Sequence, residues 1–180
     1  MKSTLLVFSV LFIALISCSE SRKSLFDGET LAGWEGDREN TWRVEDGMIV
    51  GGSLEKTVPN NEFLVTDRNY ENFILTLKIK LTGTEGFINS GVQFHSKRLS
   101  NPAYEMEGYQ ADWGNGYWAS LYDESRRNVT LIAPDSAQVL SWININDWND
   151  YKVHAENGRI QLFIKQLIIQ NQTKLFHSQV

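Results

Sequence analysis

The chain has 180 residues, enough for one domain. Its composition, 42% hydrophobic, 12% aromatic and 22% charged, is that of a folded globular protein and not of a disordered or fibrous one. A formal charge of −5 argues against electrostatic binding of nucleic acid, which needs a basic face.

Residues 1–17 read as a signal peptide. Lys2 supplies the positive start, and Leu5 to Ile16 is a nearly unbroken apolar run, too short for a comfortable permanent span. The run ends in Leu15-Ile16-Ser17-Cys18, which resembles a lipobox, the pattern in which the cysteine becomes the new N-terminus and carries the lipid. Cys18 is the sole cysteine, so it is the expected lipid attachment point and no intrachain disulfide can form. Residues 18–24 make a polar tether. The expected location is the cell envelope, with the lipid holding the protein to a bacterial membrane at its periplasmic or surface face.

From residue 25 onward, short alternating segments recur between turn residues, without repeats, heptads or a long linker. That is the pattern of an all-β sandwich. Asp46-Gly47 turns Trp42-Arg43-Val44 into Met48-Ile49-Val50. Odd positions from Phe73 to Leu81 are apolar while Ile74, Thr76, Lys78 and Lys80 alternate with them, a strand with one buried face. In Asn89–His95, Ser90, Val92 and Phe94 suit the core, and Asn89, Gly91, Gln93 and His95 face the other way. In Tyr104–Trp113, Met106, Gly108, Gln110 and Asp112 share one face, and Glu105, Glu107, Tyr109, Ala111 and Trp113 the other. Trp118 to Arg127 packs two aromatics, two carboxylates and two guanidinium groups into ten residues. Tyr151, Val153 and Ala155 alternate with polar residues before Asn157-Gly158 turns the chain into Ile160, Leu162 and Ile164.

These central segments carry the chemistry of a carbohydrate site. Sugars take paired hydrogen bonds from amides and carboxylates, supplied here by Gln93, Gln110 and Asp112. They also take an aromatic face, with Trp113, Trp118 or Tyr122 as candidates. His95 is the residue suited to act as a base near neutral pH, although a lone strand histidine is more often structural. Glu105 and Glu107 sit two apart on one strand, whereas glycosidase carboxylates face each other across a cleft. Asp123, Glu124, Arg126 and Arg127 read by default as a solvated ion-pair loop. No metal-ligand spacing, phosphate loop or nucleophile elbow is present.

Five strings in order resemble the 3-keto-disaccharide hydrolase (DUF1080) family. They are Leu25-Phe26-Asp27-Gly28 with Leu31-Ala32-Gly33-Trp34, then Trp42 to Ile49, then Asn89 to His95, then Glu107 to Gly114, then Gly116 to Arg127. The match covers about Leu25 to Ile164, so residues 25–164 are the expected domain. The resemblance implies a concanavalin-A-like jelly-roll β-sandwich of two antiparallel sheets. It also implies cleavage of 3-keto-glycosides or 3-keto-disaccharides, by hydrolysis or lyase action, through proton abstraction at C2. By analogy His95 is the base, with Asp112 the second catalytic residue. Gln93, Gln110, Trp113, Tyr122, Glu124 and Arg126 bind the oxidised glycoside. A divalent metal on the enolate is compatible with the family, but its ligands are not located by sequence. The alternatives are a non-catalytic carbohydrate-binding envelope lipoprotein and an interaction domain of a surface assembly.

After Ile164 the resemblance ends. Residues 165–180 lack the Asn-Gly turn and closing strands that the family pattern calls for, and they read as an aberrant tail on an incomplete sandwich. Codons for Lys165 to Val180, read two bases over, are compatible with Thr-Ile-Asp-Tyr-Thr-Glu-Pro-Asp-Lys-Ala-Ile-Pro-Phe-Thr-Gly, the kind of string the family has there. A frameshift between about Ile164 and Leu167 is therefore expected, and the gene's DNA in that frame decides it.

Overall fold

The computed structural model describes residues 22–173. The expected signal peptide, Cys18 and residues 174–180 lie outside the described residues. The chain runs through β1 (Trp34–Glu35), β2 (Trp42–Glu45), β3 (Met48–Gly51), β4 (Val65–Thr66), β5 (Phe73–Ile79) and β6 (Asn89–Arg98). It continues through β7 (Met106–Gly114), β8 (Leu121–Glu124), β9 (Val129–Ile132), α1 (Ser136–Leu140), β10 (Asn149–Glu156), β11 (Arg159–Ile164) and β12 (Leu167–Thr173).

Two four-stranded antiparallel sheets form the sandwich, in the orders β6-β7-β8-β9 and β12-β11-β10-β5. Two short pairs, β1 with β4 and β2 with β3, stand apart from them. The all-β expectation and the two antiparallel sheets are what the structure has. Among the described residues no helix is long and apolar enough to cross a membrane.

Period-2 alternation builds the core. Tyr109, Ala111, Trp113 and Leu121 from one sheet meet Tyr151, Val153, Ala155, Ile160, Leu162 and Ile164 from the other. The Trp113 ring lies 5.1 Å from Tyr151 and 5.2 Å from Trp118. Burying such aromatic and branched side chains is worth about 1.5–3 kcal/mol each, which ties the sheets together. Both expected hairpins form through turns with two positive φ values: Asp46 48° and Gly47 72°, then Asn157 49° and Gly158 78°. This geometry matches the right-handed strand twist, which is why Asp-Gly and Asn-Gly were informative.

The strand β12 lies past Ile164, within the stretch read as an aberrant tail. It pairs with β11 from Ile164↔Leu167 to Arg159↔Thr173. Main-chain pairing needs no family motif, and Leu167-Ile168-Ile169 has ample β propensity. The connecting turn is less well suited. Lys165 (φ 48°) and Gln166 (φ 70°) both take left-handed conformations that cost about 1–2 kcal/mol per non-glycine residue. Replacing Lys165→Asn with Gln166→Gly should therefore stabilise the protein by about 1–2 kcal/mol. A raised urea midpoint is the expected result; an unchanged or lowered one contradicts this account of the turn.

Candidate active site

Residues directly paired across neighbouring strands point to the same face of a sheet. Gln93 pairs with Gln110, Gly91 with Asp112, and Asn89 with Gly114. Gln110 pairs in turn with Tyr122, and Gly108 with Glu124. The interleaved positions Phe94, Tyr109, Ala111, Trp113 and Leu121 fill the core. Gln93, Gln110, Asp112, Tyr122 and Glu124 therefore gather on the opposite face of β6-β7-β8.

That face is polar yet largely closed to water. Gln110 is 6% exposed and Asp112 only 3%. The segment before β4 lies against it: Asn61 Nδ2 donates to Glu124 Oε1 at 3.3 Å. The Phe63 amide donates to the Tyr104 carbonyl at 3.1 Å. Arg98 holds the layers together, donating to Glu35 Oε2 and to the Tyr104 carbonyl, each at 2.6 Å. The missing side chain at Gly91 is required here. A Cβ would come 2.6 Å from the Ala111 carbonyl oxygen and 3.0 Å from Gln110 Cγ. Gly114 likewise makes room for the Asn89 amide, which a Cβ would meet at 2.5 Å.

Gln110 Nε2 donates to Asp112 Oδ1 at 2.7 Å. Burial lifts the Asp112 carboxyl to about 6, while hydrogen bonds from Gln110 and Asn89 oppose the rise and the Glu124 charge adds to it. Glu124 is raised by burial and by the neighbouring Glu105 carboxylate. Tyr122 is raised by burial and then by Glu124 and Asp112, so its phenol stays protonated. Both polar atoms of the Gln93 amide are buried without a hydrogen-bond partner, as is the indole N–H of Trp42. Each such group costs about 1–3 kcal/mol. A ligand offering a carbonyl or hydroxyls to Gln93 would remove that cost.

Three expected site residues are elsewhere. His95 sits in a bulge between Phe94 and Lys97, with φ 46°. The bulge breaks the alternation and turns the imidazole toward the opposite sheet, edge-on to Phe73 at 6.1 Å and Phe94 at 5.6 Å. Its Nε2 lies 2.7 Å from the Glu71 carbonyl oxygen, so that nitrogen donates. His95 thus does not join Gln110 and Asp112. Trp113 is 1% exposed in the core, because its position in the pleat is opposite to that of Asp112. Arg126 is committed to Asp123, Nε to Oδ1 at 2.9 Å, and its guanidinium lies 4.8 Å from the Tyr109 ring centre. Asp123 itself is fully buried and also paired with Arg127, so two exposed guanidinium groups cap a buried carboxylate and only the arginine half of the loop is solvated. Sequence reasoning missed Asn61 and Arg98, which carried no pattern. It noted Asn89 on the right face without seeing its bond to Asp112.

Among the described residues no three His, Cys, Asp or Glu side chains converge as a metal site would require. Within those residues the donor set does not fit a protein-held divalent ion.

Residues 21–177 match the family model for a 3-keto-alpha-glucoside-1,2-lyase-like domain. Among solved structures the chain is similar to a protein of Parabacteroides distasonis ATCC 8503 provisionally named a glycosyl hydrolase. The TM-score is 0.58 at 20% identity, over 85% of this chain and 73% of that one. No curated protein matches.

A carboxyl whose pKa is raised on folding favours the native state below its unfolded value and loses that contribution as pH climbs through its folded value. For Asp112 the loss runs from about 4 to about 6 and amounts to about 3 kcal/mol. Asp112→Asn should therefore be more stable than the wild type by up to about 3 kcal/mol at pH 8, with the difference shrinking toward pH 4. Urea unfolding at a series of pH values checks this; a variant less stable at pH 8 contradicts it.

Proposed function

The chain belongs to the 3-keto-alpha-glucoside-1,2-lyase-like domain family, and from that premise we propose that it cleaves 3-keto-glycosides at the polar face of β6-β7-β8, with Asp112 as the base. The supporting observation is the Asp112 carboxyl itself: buried, held by the Gln110 amide at 2.7 Å, and brought to about 6. A base with a pKa near the working pH is both ionised and strong enough to take a carbon-bound proton.

A carbonyl at C3 acidifies the hydrogen at C2. Asp112 takes that proton, the C–H electron pair forms the C2–C3 double bond, and charge collects on O3. The Gln93 amide N–H, unpartnered in the protein, stabilises that oxyanion. When the electrons return, the C3 carbonyl re-forms, a C1–C2 double bond appears, and the bond from C1 to the aglycone oxygen breaks. Tyr122, kept protonated by its buried and anionic surroundings, gives the leaving oxygen its proton. One proton passing from Asp112 to Tyr122 resets the site. The products are an unsaturated keto-sugar and the free aglycone. Water adding across the new double bond gives the hydrolytic outcome.

On the lipobox-like Leu15–Cys18 sequence we also propose that Cys18 carries a lipid that holds the domain at a bacterial envelope membrane.

With methyl 3-keto-glucoside, kcat/KM should rise with pH through about 6 and then level, because the base must be ionised. Asp112→Asn should lower it by about 10²–10⁴-fold, whereas His95→Ala should retain most of it. Binding without turnover by the wild type would favour the carbohydrate-binding alternative. Full activity in Asp112→Asn would remove Asp112 as the base.

A further inference from the structure

The end of β6 and β7 nearest Asp112 carries two exposed aromatic rings that the reaction above does not use. Phe87 is 80% exposed and Tyr117 38% exposed, with ring centres 6.2 Å apart and planes at 75°. Phe87 lies two residues before Asn89, and Tyr117 three residues after Gly114. Asn89 and Gly114 are themselves paired, so the two rings meet at one end of one strand pair. Asp112 is two residues from Gly114, roughly 7 Å along the strand.

The loop that carries Tyr117 is fastened to Asp112's own backbone. The Asp112 amide donates to the Ser120 carbonyl at 2.9 Å, and the Ala119 amide donates to the Asp112 carbonyl at 3.0 Å. Tyr117 is further fixed by its amide on the Gly114 carbonyl, and its own carbonyl takes the Ser120 amide, both at 2.9 Å. The rings therefore stand at the end of β7 that carries Asp112, with the Tyr117 loop tied to that residue's own backbone.

We propose that Phe87 and Tyr117 form the aglycone subsite of this enzyme and that it selects an aryl aglycone. The proposal rests on the 3-keto-glycoside reading above. Two rings at a steep angle make a corner in which a third aromatic ring stacks on one and meets the edge of the other. A second sugar would need amides or carboxylates for its hydroxyls. An aryl group needs only the two ring faces that meet here.

The test compares kcat/KM for phenyl and methyl 3-keto-glucosides in the wild type, Phe87→Ala, Tyr117→Ala and Phe87→Tyr. Aryl preference, taken as the ratio of the two constants, should fall about fivefold to tenfold in each alanine variant. It should be kept in Phe87→Tyr, which restores an aromatic face. These positions are surface-exposed, and the ratio cancels any general loss of folded protein. A wild type with no aryl preference, or a preference undiminished in both alanine variants, overturns the subsite while leaving the parent reading intact. A wild type that turns over neither glycoside overturns both.

Discussion

A carboxylate that is only 3% exposed must be compensated, and at Asp112 the compensation comes from neutral amides instead of a cation. Gln110 and Asn89 donate to it, and the nearest charge acting on it, Glu124, is of the same sign. An arginine in place of those amides would have pushed the acid down and made it a structural anion. One strand away the partners are cations and not amides. Asp123, fully buried, is paired with Arg126 and Arg127 and serves the edge of the core. Two buried aspartates thus have opposite settings, one among amides and one among cations, fixed by the face of the pleat on which each sits.

The alternation that separates those faces was readable in the sequence. Gln93, Gln110 and Asp112 were expected together, and the register Gln93↔Gln110 and Gly91↔Asp112 places them together. The same alternation puts Trp113 opposite Asp112, so an aromatic wall there is incompatible with the pleat. Its 1% exposure follows from packing against Tyr151. The bulge at His95 was not readable, because a period-2 pattern assumes unbroken pairing. Its one trace in the sequence is Gly108, where a Cβ would meet the His95 carbonyl oxygen and Ser96 Cα, each at 2.7 Å. The closing layer was also hidden. Asn61 and Arg98 act through contacts with residues 63 positions away in the chain, Glu124 and Glu35 respectively, and no local pattern encodes such pairs.

The site divides its work along the strands. The Gln93 amide, whose polar atoms have no partner in the protein, suits an oxygen that gains charge only during reaction. Tyr122 sits across from Gln110, and its raised pKa suits the proton donor of the proposed reaction. At the end of the β6-β7 pair the surface changes to the two exposed rings of Phe87 and Tyr117. In the proposed reaction polar groups would thus surround the sugar while aromatic ones receive the aglycone.

In the proposed reaction Asp112, and not His95, removes the C2 proton. Incubating a 3-keto-glucoside in deuterium oxide and following the C2 hydrogen by NMR observes that step without requiring bond cleavage. The account predicts enzyme-catalysed exchange in the wild type and in His95→Ala, and none above background in Asp112→Asn. Exchange that persists in Asp112→Asn and disappears in His95→Ala would contradict it.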